Sequence, residues 1–298
     1  MNSSKIKQLA SSKGLEILEE SVQLNESGVD FLVAHAKDTN HNQWILRLPR
    51  RPESMRSALI EKKSLELLKR YADFQVPDWI IFSDELIAYP QLEGIPAATV
   101  DAENQRYIWS FDETAIPPNF YRTLGETLAN LHSLPQEEFI QLGIKSTPAS
   151  ELRVSMKQRM ENVKALYDIN PVLWERWQAW LAKDSYWPSF VGVRHGDVHP
   201  GHILIDQQHQ VTGLIDWTEI AIGDVSADFL AHYLLFGKDG LDQLIEAYET
   251  AGGKTWPKMA EHVVELLTTS GITVAEYAQA SGLEDMTEAA KQMLASEP

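Results

Sequence analysis

Residues 195–206, HGDVHPGHILID, followed after a short polar turn by 211–219, VTGLIDWTE, decide how this chain is read. Asp197 comes just after the apolar run FVGVR (190–194) and just before the turn VHPG, so its carboxylate projects from a strand end. His202 opens the next short strand, HILI (202–205), and Asp216 closes the strand VTGLID (211–216) that returns from the turn Asp206 to Gln210. Pairing of those two strands brings Asp216 back to the neighbourhood of His202. An ionised carboxylate only accepts hydrogen bonds, so one of the two can take a proton from a hydroxyl. A second carboxylate beside a neutral ligand can hold Mg²⁺ against phosphate oxygens. Oxygen suits that hard cation, and an imidazole nitrogen is the less usual partner.

Other chemistries are poorly served by the same residues. His199 and His202 suggest zinc, but zinc calls for a third nitrogen or sulfur ligand in tight geometry. The sequence has no cysteine, which excludes disulfides, thiolate nucleophiles and cysteine-ligated metals. It has no H-E-x-x-H helix, no G-x-S-x-G elbow, no Walker A sequence and no G-x-G-x-x-G. A His-Gly-Asp tripeptide taken alone is as well explained by structure as by chemistry, so the order and spacing of the whole segment carry the argument.

The 298 residues are long enough for a substantial core, and 44% hydrophobic with 23% charged residues is an ordinary globular balance. The opening MNSSKIKQLASSKGLEILEE interrupts Ile6, Leu9, Leu15 and Leu18 with charges, unlike a secretory signal. No run approaches the ~18 apolar residues of a membrane helix, and a cytoplasmic location is expected. A formal net charge of −17 repels nucleic acid and anionic membrane surfaces. Solubility is its plain reading; a cationic small-molecule substrate is the sharper one.

Along the chain, VQLNESGVDFLVAHA (22–36) is two β-rich runs broken at Asn25 to Gly28, and QWILRLP (43–49) is a further strand. SALIEKKSLELLKRYA (57–72) sets Leu59, Ile60, Leu65 and Leu68 near helical spacing. DWIIFSDELIAYP (78–90) gives two strands about Ser83 and Asp84, and residues 97–117 read as irregular and polar. Helical patterns then dominate: 121–134 with Leu124, Leu128 and Leu131, 151–167 with Leu152, Met156, Met160 and Val163, and everything beyond Ser226. Trp174, Trp177 and Trp180, three residues apart in 173–181, read first as packing and second as a ligand platform. The fold class expected is α+β: a small N-terminal antiparallel-sheet lobe over 1–93 and a larger, mainly helical lobe over 94–298, with a ligand cleft between them.

The order H-G-D-x-x-x-x-H, strand, turn, strand, I-D-W, then GDVSADFLAHY (223–233) resembles the catalytic segment of the aminoglycoside phosphotransferase and protein-kinase-like superfamily. The resemblance implies Asp197 as catalytic base and His202 and Asp216 as ligands of two Mg²⁺ ions. It sets Ser27 and Gly28 at a phosphate-covering hairpin, although the glycine-rich loop is missing, and Arg47 where kinases carry a strand lysine, paired with Glu61. A forked guanidinium is not an ammonium, and Arg50 and Arg51 are open alternatives for the phosphate contact. AYPQLEG (88–94), with Tyr89, Gln91 and Leu92, resembles the hinge that reads a purine edge; Leu204 and Ile215 either sandwich the base or are ordinary core.

Within the superfamily the chain is most similar to the macrolide 2′-phosphotransferases. The similarity is carried by LNESGVDF (24–31), WILRLPRR (44–51), VPDWIIFSDELIAYP (76–90), LHSLP (131–135), MKQRM (156–160), WERWQAWL (174–181), the 195–219 segment and WPKM (256–259). It implies transfer of the γ-phosphoryl group of GTP, or ATP, to the 2′-hydroxyl of a macrolide's amino sugar. The protonated dimethylamino group of that sugar suits an acidic protein and lowers the pKa of the neighbouring hydroxyl. A macrolactone needs a wide apolar pocket, for which Asp228, Tyr233 and Phe236 are candidates. Asp228 has an equal rival role in tying the catalytic loop; Met156 and Met160 suit either a pliable pocket or the core. A kinase for an aminoglycoside or other cationic alcohol, and a ligand-sequestering pseudokinase, are the alternatives. A monomer with no nucleic-acid or membrane partner is expected.

Overall fold

In the computed structural model, which describes residues 2–26, 30–101 and 106–297, the chain opens with helix α1 (Ser3–Ser12). The Asn2 side chain caps α1 by accepting from the Lys5 amide. Strands β1 (Gln23–Asn25), β2 (Phe31–Lys37) and β3 (Gln43–Pro49) follow, then helix α2 (Ser54–Tyr71), β4 (Ile81–Phe82) and β5 (Ile87–Pro90). The five strands form one antiparallel sheet in the order β1-β2-β3-β5-β4. Alternation along β2 and β3 turns Leu32, Ala34, Ala36, Leu46 and Leu48 to one face, where they join Ile6 and Ala10 of α1 in a buried core. Arg47, lying between Leu46 and Leu48, belongs to the opposite face.

Helix α2 begins and ends close to expectation, but its inward stripe is different. Ala58, Glu61, Leu65 and Leu68 are buried, whereas Leu59 and Ile60 are 45% and 42% exposed. The helix is turned so that a carboxylate, Glu61, faces inward with leucines above it.

Next come β6 (Ile95–Pro96), β7 (Ala98–Asp101) and β8 (Arg106–Trp109), and β7 pairs with β8 in the register Ala98↔Trp109 to Asp101↔Arg106. The irregular reading of 97–117 is corrected here. Val100 and Ile108 are 62% and 54% exposed while Tyr107 and Trp109 are half-buried, so β8 does alternate, but its three consecutive apolar residues Tyr107, Ile108 and Trp109 hide that alternation in the sequence.

The remaining elements are α3 (Pro118–His132), α4 (Gln136–Gln141), α5 (Ala149–Lys164), α6 (Pro171–Leu181), β9 (Gly192–Arg194), β10 (Ile203–Ile205), β11 (Val211–Leu214), β12 (Ala221–Gly223), α7 (Leu230–Thr250), α8 (Met259–Thr268), α9 (Ser270–Ser281) and α10 (Glu284–Ala295). Helix α7 is broken at Gly237, whose φ of 64° is non-helical.

The chain forms two compact units that do not divide linearly at 93/94. One comprises Met1–Phe111, Gln141–Ile144 and Pro200–Ile220; the other comprises Asp112–Ile140, Lys145–His199 and Ala221–Pro298. The β10–β11 hairpin, assigned from sequence to the C-terminal lobe, clusters with the N-terminal sheet. β10 pairs β6 in the order β11-β10-β6. The segment after α2 is bonded to β11 through Gln75 N–H to Thr212 O at 2.9 Å and Leu214 N–H to Gln75 O at 3.1 Å. Gly213 permits that approach, since a Cβ there would stand 2.5 Å from the Gln75 carbonyl oxygen.

In the second unit α3 packs along α7, and α5, α6, α9 and α10 enclose a core of Met156, Met160, Val163, Leu173, Trp177, Trp180, Ile272, Ala290 and Leu294. Trp177 and Trp180 are therefore packing residues, as are both methionines, while Trp174 lies partly buried beneath the Lys164 ammonium, 3.6 Å from its ring. No helix among the described residues is long and apolar enough to cross a membrane.

Candidate active site

The first unit assembles a charged group from four elements. Arg47, in the middle of β3, donates from Nη1 to Glu61 Oε1 of α2 at 2.9 Å. Its guanidinium carbon lies 4.4 Å from the Phe31 ring centre and 5.2 Å from that of Trp79, so aromatic rings hold the cation as well. Burial raises the Glu61 carboxyl, and Arg47 together with the Trp217 amide pulls back against it; the shift stays upward. Burial likewise lowers the Arg47 guanidinium, but the Glu61 charge more than restores it. Tyr89 of β5 belongs to the same field, and its buried phenol is pushed up to about 12.

Glu61 ties this pair to the hairpin by accepting from the backbone of Trp217, the residue after Asp216. The Trp217 indole donates to Leu214 O at 3.1 Å and stacks on Phe74 at 6.2 Å between ring centres. The chain between those anchors turns sharply: Asp216 has φ of 63°, a left-handed conformation uncommon outside glycine. That turn presents the Asp216 carboxylate to solvent. Its Oδ1 accepts from the Thr218 hydroxyl at 2.7 Å, and its Oδ2 lies 3.7 Å from His202 Nε2. Burial raises the Asp216 carboxyl, but His202, Thr218 and Arg47 outweigh it and hold it below the usual carboxylate range. Neighbouring ligands on a Mg²⁺ at about 2.1 Å stand about 3 Å apart. An ionised Asp216 oxygen and a His202 nitrogen at 3.7 Å fit such an ion with little movement.

The second unit holds Asp197. Strand β9 pairs with β12 in the register Ala221↔Arg194 to Gly223↔Gly192, and the loop leaves β9 through His195 and Gly196. Gly196 has φ of 94°, which a side chain would strain. Both amides are captured by one carboxylate: His195 N–H donates to Asp228 Oδ2 at 2.8 Å and Gly196 N–H to Asp228 Oδ1 at 2.7 Å. Asp228 Oδ2 also bonds His132 Nε2 at 3.0 Å, and His132 Nδ1 bonds the Tyr248 hydroxyl at 3.0 Å. Burial would raise the Asp228 carboxyl, but the His132 bond and the surrounding cations hold it below its ordinary value. The Asp197 amide donates to the buried His195 Nδ1 at 3.2 Å, leaving the Asp197 side chain exposed at the loop tip. Asp197 and His199 place possible ligand atoms within 4.8 Å of each other.

Several residues singled out from sequence thus fall into two groups. Arg47, Glu61, Tyr89, His202 and Asp216 are in the first unit, and Asp197 and Asp228 in the second. Of the two roles open to Asp228, the geometry is that of loop anchor, since the residue is fully buried and both oxygens are bonded. Gln91 donates its amide to Gln43 O at 2.9 Å, extending the β3–β5 pairing. Leu204 is buried in β10 opposite Pro96, and Ile215 is half-buried with its amide donated to His202 O at 3.0 Å. Arg50 donates to Glu26 O at 2.8 Å and Arg51 to Asp30 at 2.9 Å. Tyr233 and Phe236 are half-buried on the first turns of α7. Ser27 and Gly28 lie outside the described residues.

Sequence reasoning missed His132, Tyr248, Trp217, Thr218 and His195 as supporting residues. A single histidine on an amphipathic helix gives no signal of a partner 96 positions away. His132 was visible only within the quoted LHSLP.

Comparisons with known proteins bear on the family and the fold. The model of the phosphotransferase enzyme family matches residues 21–262. The uncharacterized protein YcbJ of Bacillus subtilis (strain 168) is 42% identical over 270 residues, covering 91% of this chain and 88% of its own. Among solved structures, macrolide 2′-phosphotransferase MphH from Brachybacterium faecium superposes with a TM-score of 0.93 at 34% identity, covering 99% of this chain and 98% of that one. A type I macrolide 2′-phosphotransferase gives a TM-score of 0.90, also at 34% identity, over 99% and 97% of the two chains. The GDP complex of aminoglycoside 2′-phosphotransferase-IIIa, at 19% identity and a TM-score of 0.76, shares the kinase-like fold. With a mixed antiparallel-sheet and helical architecture and the family match spanning most of its length, this chain belongs to the phosphotransferase enzyme family.

Proposed function

We propose that this phosphotransferase is a macrolide 2′-phosphotransferase, which inactivates macrolide antibiotics by phosphorylating the amino sugar. The likeness to MphH, at 34% identity over 99% of this chain, carries the reading. The acidic composition supports it, because the acceptor sugar is a cation.

In the reaction, the acceptor 2′-hydroxyl oxygen forms a bond to the γ-phosphorus as the bond to the β-phosphate oxygen breaks. Asp197 takes the hydroxyl proton, and the nucleoside diphosphate leaves with the electron pair. The exposed carboxylate on an anchored loop supports that role. His202 and Asp216 would hold Mg²⁺, two ions being expected, and its charge would neutralise the phosphate oxygens. Arg47, fixed by Glu61, lends a further positive charge beside Asp216. With its amide already donated, Gln91 reads the purine through its carbonyl and Leu92 through its backbone; Tyr89, Leu204 and Ile215 line the base, and Ser27 and Gly28 cover the phosphates. Tyr233 and Phe236 offer apolar surface to the macrolactone, and Asp228 holds the loop that carries the base. GTP is the donor, with ATP a possible substitute, and the enzyme works as a monomer in the cytoplasm.

A donor-by-acceptor panel tests the reading: GTP or ATP with magnesium, and erythromycin or kanamycin. The expected result is a mass gain of one phosphate on erythromycin, faster with GTP. A gain on kanamycin alone overturns the macrolide assignment.

A further inference from the structure

The loop anchor Asp228 belongs to a single 3₁₀ turn, Val225–Phe229, and the head of that turn is held by a second buried His–Asp pair. His262 of α8 bonds Asp224 Oδ2 through Nε2 at 2.6 Å, with the imidazole fully buried. The other carboxylate oxygen, Oδ1, accepts from the Ser226 amide at 3.0 Å and the Ser226 hydroxyl at 2.5 Å, capping the turn. Two residues later the same turn delivers Asp228 to the amides of His195 and Gly196, immediately ahead of Asp197.

The tautomer of His262 follows from its other neighbour. Trp180 Nε1 lies 3.3 Å from His262 Nδ1, and an indole nitrogen only donates. Nδ1 must therefore carry the lone pair, which places the ring proton on Nε2, facing the carboxylate. Trp180, Trp187 and Trp256 pack their rings 5.2, 5.0 and 5.5 Å from the imidazole centre. Both neighbours favour the same tautomer, since the Asp224 carboxylate only accepts and the Trp180 indole only donates, and the apolar surroundings leave no easy substitute for either bond.

We propose that His262, held in its Nε2–H tautomer between the Trp180 donor and the Asp224 acceptor, is a positioning residue for phosphoryl transfer: through Asp224 it fixes the turn whose Asp228 clamps the backbone ahead of Asp197. The proposal rests on Asp197 as the base, but its geometry does not depend on which alcohol is phosphorylated. It acts on the transition state through loop placement rather than on substrate affinity, so its signature is in kcat.

The test uses the full chain with Trp180→Phe, which keeps an aromatic ring but loses the indole donor together with some buried ring volume, and with His262→Gln, whose side-chain amide supplies an N–H toward Asp224 without a tautomer choice; the double variant carries the same loss of ring volume, so that loss does not separate it from Trp180→Phe. Trp180→Phe is expected to lower kcat for erythromycin about tenfold while both KM values stay within about twofold. Adding His262→Gln to Trp180→Phe is expected to restore kcat to within about threefold of the parent. Amide hydrogen exchange over residues 192–199, measured with no substrate, is expected to be faster in Trp180→Phe and to slow again in the double variant. An unchanged kcat, a KM that rises in step with the kcat loss, or unaltered exchange in Trp180→Phe would overturn the proposal. If the parent protein fails to phosphorylate erythromycin, the macrolide reading falls, and the exchange measurement still decides the role of His262.

Discussion

Arg47 Nη1 lies 2.9 Å from Glu61 Oε1, with side chains only 12% and 5% exposed, and the pair joins β3 to α2 between two aromatic rings. A guanidinium at this position is held on three sides, by a carboxylate and by the faces of Phe31 and Trp79. Breaking a buried pair by removing one partner costs about 3–5 kcal/mol, because the other charge is left uncompensated. Arg47→Ala should lose stability on that scale in urea unfolding. Arg47→Lys should keep the charge but lose the planar stacking, retaining most stability with a raised nucleotide KM. A Lys variant with unchanged nucleotide KM would remove Arg47 from phosphate positioning.

Asp197→Ala should reduce turnover by about 10³-fold, within the range for loss of a general base, with macrolide affinity changed less than about threefold. Steady-state kinetics with equilibrium binding measures both. Retained turnover would take the proton-accepting role away from this residue.

His202→Ala should raise the magnesium concentration needed for half-maximal rate at least about tenfold, while His202→Asn, which keeps a ligand atom, should shift it less. Titrating MgCl₂ at saturating nucleotide separates the two. Equal magnesium curves for the parent and the alanine variant would contradict the assignment.

Asp224 and Asp228 both have carboxyls held below their ordinary value of 3.8. Their folded-state values are depressed, so the stability they contribute is present above pH 3.8 and is lost as pH falls through the lower folded values. Thermal melts should be insensitive to these groups from pH 6 to 8 and should fall steeply in acid below about pH 4. Asp228→Asn should flatten that acid limb while losing about 2 kcal/mol at neutral pH, since a neutral amide accepts more weakly from the two loop amides.

Gly213→Ala would place a methyl 2.5 Å from the Gln75 carbonyl oxygen, a backbone atom that cannot rotate away. The hairpin must shift, at about 1–3 kcal/mol, and it carries both His202 and Asp216. A higher magnesium concentration for half-maximal rate together with the lost stability is expected; stability loss alone would show that the hairpin ends move independently of β11.

The candidate catalytic segment stands out in the sequence because its information is local. Asp197, His202 and Asp216 occur within twenty consecutive residues of loop and hairpin, and strand pairing alone brings His202 and Asp216 together, here at 3.7 Å. The β-strand limits Gln43–Pro49 and the helical run after residue 118 were readable for the same reason, since side-chain periodicity is written along one element. The inward face of α2 was legible only in part: the resemblance paired Glu61 with Arg47, but Leu59 and Ile60 look like core, and burying Glu61 in their place is favourable because Arg47 and the Trp217 amide meet it there. Of the network behind the loop that carries Asp197, only Asp228 was given that role from the sequence, as one of two open to it; His132, Tyr248, His262 and Trp180 are drawn to that region from four distant helices. Which residues are proposed to bear the chemistry is a matter of short-range order along the chain. Which residues hold them still depends on burial, where a lone polar group is costly and its partner is chosen by packing rather than by sequence separation.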